Sequence, residues 1–167
     1  FTIMKNLFAI LIILSITVTQ AQQNFIGPIN ELRLSISEEL EPYLREYITE
    51  GQKRGIHNIE SWMMREVDKI YIVENFSSFY KPNVLGVTLS GWRIIHINSA
   101  CMNDILILKR TLYHELGHAV KKSSEHTCYQ CSDIMGTKEL QKDDLELIRN
   151  KESWNEEVDK YFQWLVN

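Results

Sequence analysis

Apolar residues recur along this chain with different periods, and each change of period predicts a new element. From Glu31 to Ile36 they alternate, with Leu32, Leu34 and Ile36 apolar and Arg33 and Ser35 polar, which predicts a half-buried strand. At Glu41-Pro42 the period lengthens. Proline suits the first helical position, and Tyr43, Leu44, Tyr47 and Ile48 then recur at helical spacing, so a helix is expected over Pro42–Lys53, with Gly51 and Gly55 marking its end. Glu60–Arg65 reads as a short helical turn. Lys69–Val73 is a dense apolar run that suits a central strand. Pro82 keeps Glu74–Asn83 a loop. Val84–Leu89 and Trp92–Asn98 read as two strands of a tight hairpin turning at Ser90-Gly91.

Asn103-Asp104 then caps a long helix, Ile105–Val120, whose Leu108, Leu112, Leu116 and Ala119 form one apolar face. Lys121–Gly136 is a loop containing a turn at Asp133–Gly136. Two C-terminal helices are expected, Lys138–Asn150 and Ser153–Val166, with Leu140, Leu145, Leu147, Ile148, Trp154, Val158, Phe162 and Leu165 facing inward. This order predicts an α+β fold, a mixed twisted sheet of four to five strands with helices packed on it.

The 167 residues suffice for one core and not for two. A net charge of −4, with no basic stripe, argues against a nucleic-acid partner. Met4–Ala21 has the parts of an export signal: Lys5, an apolar stretch over Leu7–Leu14, and small residues at Thr19-Gln20-Ala21. The apolar run is too short for a comfortable membrane span. The expectation is a signal peptide over residues 1–21, with Phe1-Thr2-Ile3 preceding the start methionine, and a single exported domain over 22–167, secreted or periplasmic, monomeric and without stable membrane insertion. No long propeptide is apparent. In that setting the three cysteines, Cys101, Cys128 and Cys131, are disulfide candidates with one left over, in no readable connectivity.

The candidate chemistry lies on the long helix. His114-Glu115-Leu116-Gly117-His118 puts two imidazoles one turn apart on one face, where both can reach one metal ion at about 2.0–2.1 Å. Glu115 stands beside the first of them, where a carboxylate can take a proton from a metal-bound water. A catalytic zinc keeps three protein ligands and one open position, so a third donor is needed. The segment after Val120 is long enough to turn back and present either Glu125 or His126.

These residues resemble the metzincin clan of zinc peptidases, whose pattern is H-E-x-x-H-x-x-G-x-x-H followed by a turn containing methionine. His114, Glu115 and His118 match its first half, His126 resembles the third histidine, and Met135 in Ser-Asp-Ile-Met-Gly resembles the methionine of the turn. Cys128 after the last histidine and Cys131 before the methionine are reminiscent of the archaemetzincin subgroup, although that subgroup's further cysteine pair is missing. The chain departs from the clan at one point: the glycine position falls on Lys121 and the third-histidine position on Ser124, so His126 matches only with two residues inserted. The resemblance implies a zincin-like catalytic domain with Zn2+ on His114, His118 and His126, Glu115 as general base, Met135 beneath the metal, and a peptide or protein substrate lying along the edge strand Val84–Leu89. Two other readings stand beside it. One is a zinc peptidase of another clan with Glu139 or Glu146 as third ligand; the other is a non-catalytic, metal-containing binding module, which would not need Glu115.

Overall fold

The computed structural model describes residues 34–74, 76–81, 83–126, 133–136 and 149–167. The elements are β1 (Ser35–Ile36), α1 (Glu41–Lys53), α2 (Ile59–Glu66), β2 (Lys69–Val73), β3 (Gly86–Leu89), β4 (Ile94–Asn98), α3 (Ile105–Lys121) and α4 (Lys151–Val166). The four strands form one mixed sheet in the order β1-β2-β4-β3. β2 is central and parallel to both neighbours, whereas β3 runs antiparallel to β4 at the edge. The architecture is therefore α+β, with a four-stranded open sheet and helices packed on it. The expected signal segment, the first residues of the Glu31–Ile36 strand, and nearly all of the expected Lys138–Asn150 helix lie outside the described residues. Among the described residues no helix is long and apolar enough to cross a membrane.

Alternation along the strands selects the buried face. Ile95 and Ile97 are fully buried while Ile94, His96 and Asn98 are half-buried. Against that face lie Leu108, Leu112 and Leu116 of α3, at most 1 % exposed. Burying each such leucine contributes about 1.5–3 kcal/mol. On the other side of α3, Tyr113 meets Tyr47 of α1 edge-on with ring centroids 4.9 Å apart, and Tyr161 and Phe162 of α4 close the cluster. Helix α3 is thus packed on most of its circumference, so its remaining face is held rigidly.

Several boundaries differ from expectation, each for a physical reason. Gly51 does not end α1. It is a buried helical residue where an added Cβ would lie 2.4 Å from Ile59 Cδ1, so its bareness admits α2. Gly55, at φ 85°, makes the left-handed exit, with its N–H donating to Gln52 and that of Ile56 to Gly51, both at 3.0 Å. The β3–β4 connection is not a tight two-residue turn on Gly91. It is one turn of 3-10 helix over Ser90–Trp92, and the left-handed residue is Arg93 at φ 57°. Its guanidinium bonds the Met64 carbonyl and Asp68, which holds it in that conformation.

Helix α3 starts where expected. Asp104 Oδ1 accepts from the backbone N–H groups of Leu106 and Ile107 at 2.9 and 3.4 Å, and Oδ2 pairs with Arg149 at 2.6 Å. Asp104→Ala leaves those two N–H groups unpaired. It should lower stability by about 1–2 kcal/mol, seen as a lower urea midpoint with an unchanged slope. An unchanged midpoint would show that the cap does not anchor the helix.

Candidate metal centre

The three histidines singled out above converge. His114, His118 and His126 each offer one ring nitrogen, and these nitrogens all lie within 4.8 Å of one another. The Nε2 atoms of His114 and His118 are 3.0 Å apart. The ring of His126 closes the group from the loop, with centroids 5.1 Å and 4.8 Å from those of His114 and His118. Glu125 is exposed and outside the cluster. Glu139 and Glu146, the alternative third donors, lie outside the described residues.

Each helix histidine is oriented by a backbone carbonyl. His114 Nδ1–H donates to Ile134 O at 2.7 Å, and His118 Nδ1–H donates to Ser123 O at 2.7 Å. A carbonyl oxygen only accepts, so both Nδ1 atoms carry the hydrogen and both Nε2 atoms present a bare lone pair. Burial also keeps the rings neutral. It pushes the His114 imidazole down to about 3, against the Ile134 bond, and it lowers His118 as well. Two lone pairs facing each other at 3.0 Å repel unless a cation lies between them. Two nitrogens bound to one tetrahedral ion would be about 3.3 Å apart. The donor set, three imidazoles of which His114 and His118 have fixed tautomers, therefore fits a divalent transition metal.

The loop solves locally the turn that a glycine would otherwise make. Lys122 ends α3 in the left-handed conformation at φ 53°, which costs a non-glycine residue roughly 1–2 kcal/mol. Its ammonium pairs with the buried Glu66 at 2.9 Å. Ser123 N–H donates back to His118 O at 3.3 Å, and Ser123 Oγ accepts from Glu125 N–H at 3.0 Å. This serine turn delivers His126 to the other two histidines across the two extra residues.

The Asp133–Gly136 turn is pinned to the same helix. Arg110 donates to Asp133 O at 2.6 Å, and Ile134 supplies the carbonyl for His114. Between them and α3, Met135 is 1 % exposed and packs on Gly117, where an added Cβ would stand 2.8 Å from Met135 Sδ. Tyr161 and Trp164 of α4 fill the rest of that contact.

Glu115, 5 % exposed, points toward β3. Thr88 Oγ1 lies 2.7 Å from its Oε2 and 2.8 Å from its backbone oxygen. Burial raises the Glu115 carboxyl to about 7, against the lowering effect of the Thr88 bonds. Cys101 is a free, buried thiol 3.8 Å from Thr111 Oγ1, while Cys128 and Cys131 lie outside the described residues.

Ile134, Ser123, Lys122, Gly86 and Thr88 were not singled out by the sequence. The first two act through carbonyls that every residue has, so no side-chain signal existed. Gly86 and Thr88 carried one, two small residues on the same strand face, legible only once that face is known to meet Glu115. Comparison with family models, curated proteins and solved structures gave no match.

Two outcomes follow from this geometry. His126→Ala should sharply weaken zinc binding in a competition titration with a chromophoric chelator, while Glu125→Ala leaves it nearly unchanged; the reverse ranking would reassign the loop ligand. At the contact of Met135 with Gly117, Met135→Leu conserves volume and should cost less than about 1.5 kcal/mol, whereas Gly117→Ala overpacks that contact and should cost about 1–3 kcal/mol. Equal unfolding midpoints for the two variants would contradict the packing described.

Proposed function

We propose that this protein is a secreted zinc-dependent endopeptidase of the metzincin kind, with His114, His118 and His126 holding the metal and Glu115 as general base. The observation that carries this reading is the convergence of three imidazoles, two of them with Nδ1 tied to carbonyls so that Nε2 faces the shared point. The chemistry such an ion supplies is Lewis acidity toward a carbonyl and a bound water of lowered pKa.

The chain's own residues do the rest. Glu115 receives the proton of the attacking water on a carboxylate oxygen and passes it to the leaving amine nitrogen. A carboxyl poised near neutrality by burial suits both halves of that transfer. A purely structural site has no use for a buried carboxylate next to its first ligand, which favours an enzyme over a binding module. β3 ends the sheet, pairing with β4 on one side and with no described strand on the other. An extended peptide can add there by backbone hydrogen bonds. The ordered strand is Gly86–Leu89, shorter than the edge expected from Val84. Met135 buried against the site helix supports the likeness to the clan's methionine turn.

The test is Glu115→Ala. Wild-type protein should hydrolyse casein, lose the activity to a chelator and regain it with zinc. The variant should keep about one zinc per chain and its fold, while kcat/KM falls by at least about 10²-fold. Turnover near the wild-type rate would remove Glu115 from the chemistry.

A further inference from the structure

Two residues of β3 meet the general base of the proposed reaction, and they treat its two oxygens differently. Gly86 and Thr88 are partners of Ile97 and Ile95 in the β3–β4 ladder, and those isoleucines are buried. Both β3 residues therefore lie on the sheet face that α3 covers. At Gly86 an added Cβ would stand 2.7 Å from Glu115 Cγ, 2.8 Å from Thr111 Cγ2 and 2.9 Å from Glu115 Oε1. The glycine is thus a recess into which the glutamate side chain is laid. At Thr88 the hydroxyl lies 2.7 Å from Glu115 Oε2. Oε1 accepts no hydrogen bond among the described residues.

The Thr88 hydroxyl has one hydrogen and two acceptors nearby, the Glu115 carboxylate and the Glu115 backbone oxygen at 2.8 Å. A carboxylate is the stronger acceptor, because charge-assisted bonds are roughly twice as strong as neutral ones. Valine has nearly the same shape and suits a half-buried strand at least as well. Packing alone therefore gives no reason for the hydroxyl.

We propose that Thr88 is a positioning residue for Glu115. By bonding Oε2 it fixes the carboxylate torsion and leaves Oε1 as the oxygen that takes the proton from water, with Gly86 providing the space. The inference rests on the reading of Glu115 as the base. It makes β3 serve twice: its outer edge pairs the substrate backbone while its inner face sets the base, so both are held in register by one strand.

The test compares Thr88→Val with Thr88→Ser, read by zinc content, by kcat and KM on a fluorogenic casein-derived peptide, and by crystal structure. Thr88→Val should retain about one zinc and a KM within about twofold, while kcat falls about 10- to 100-fold. Thr88→Ser should restore kcat to within about threefold, which a loss of packing would not produce. In the Thr88→Val crystal the Glu115 carboxylate should have left β3. A wild-type kcat in Thr88→Val, or no recovery in Thr88→Ser, overturns the proposal. If the wild-type protein hydrolyses nothing, the peptidase reading fails separately. The crystal still decides here, since a carboxylate unmoved in Thr88→Val overturns the positioning whatever the activity. Should Thr88→Val not fold, Thr88→Ala takes its place with the same readouts.

Discussion

Two hydrogen bonds of 2.7 Å, from His114 Nδ1 to Ile134 O and from His118 Nδ1 to Ser123 O, set the terms for the rest of the molecule. They fix both tautomers and so leave two lone pairs face to face at 3.0 Å. Neither ring can turn away without losing its carbonyl. Neither protonates readily, because burial disfavours the charged form. That arrangement suits a positive charge between the nitrogens. It reaches outward, because each carbonyl belongs to a different loop. One depends on the left-handed Lys122, the other on a turn tied down by Arg110.

The packing around α3 makes this precision affordable in entropy. Tyr47, Tyr113, Tyr161 and Phe162 clamp one side and the isoleucines of β2 and β4 the other. A side chain locked by close-packed neighbours loses no further freedom when a ligand arrives. Close approach is bought with small residues at three places: Gly51 under α2, Gly86 under Glu115, and Gly117 under Met135. Each lets a functional or core group come nearer to a backbone than any Cβ would allow.

Much of this was legible in the sequence. The spacing of Leu108, Leu112 and Leu116 and the cap at Asp104 located the site helix to within a residue at its end, and the two histidines four apart defined its open face. The mixed sheet followed from where the apolar period changed. What escaped has a common cause. The hairpin turn was read at Ser90-Gly91, yet the left-handed residue there is Arg93, and Lys122 adopts the same conformation after α3, each held by an ion pair with a residue distant in sequence. Gly51 was read as punctuation, but its role is set by a helix that arrives later in the chain. The orienting carbonyls carry no residue identity at all. Whether Glu125 or His126 comes to the other two histidines depended on how five residues turn, and with Ser123 accepting from Glu125 it is His126 that joins them.

The central claim is that three imidazoles hold one ion on α3, and X-ray absorption at the zinc edge of metal-loaded protein tests it most directly. The account predicts three nitrogen scatterers at about 2.0–2.1 Å with the outer-shell pattern of imidazole, and a lighter oxygen completing four-coordination. A sulfur shell at about 2.3 Å would put the metal on the cysteines instead and contradict the account.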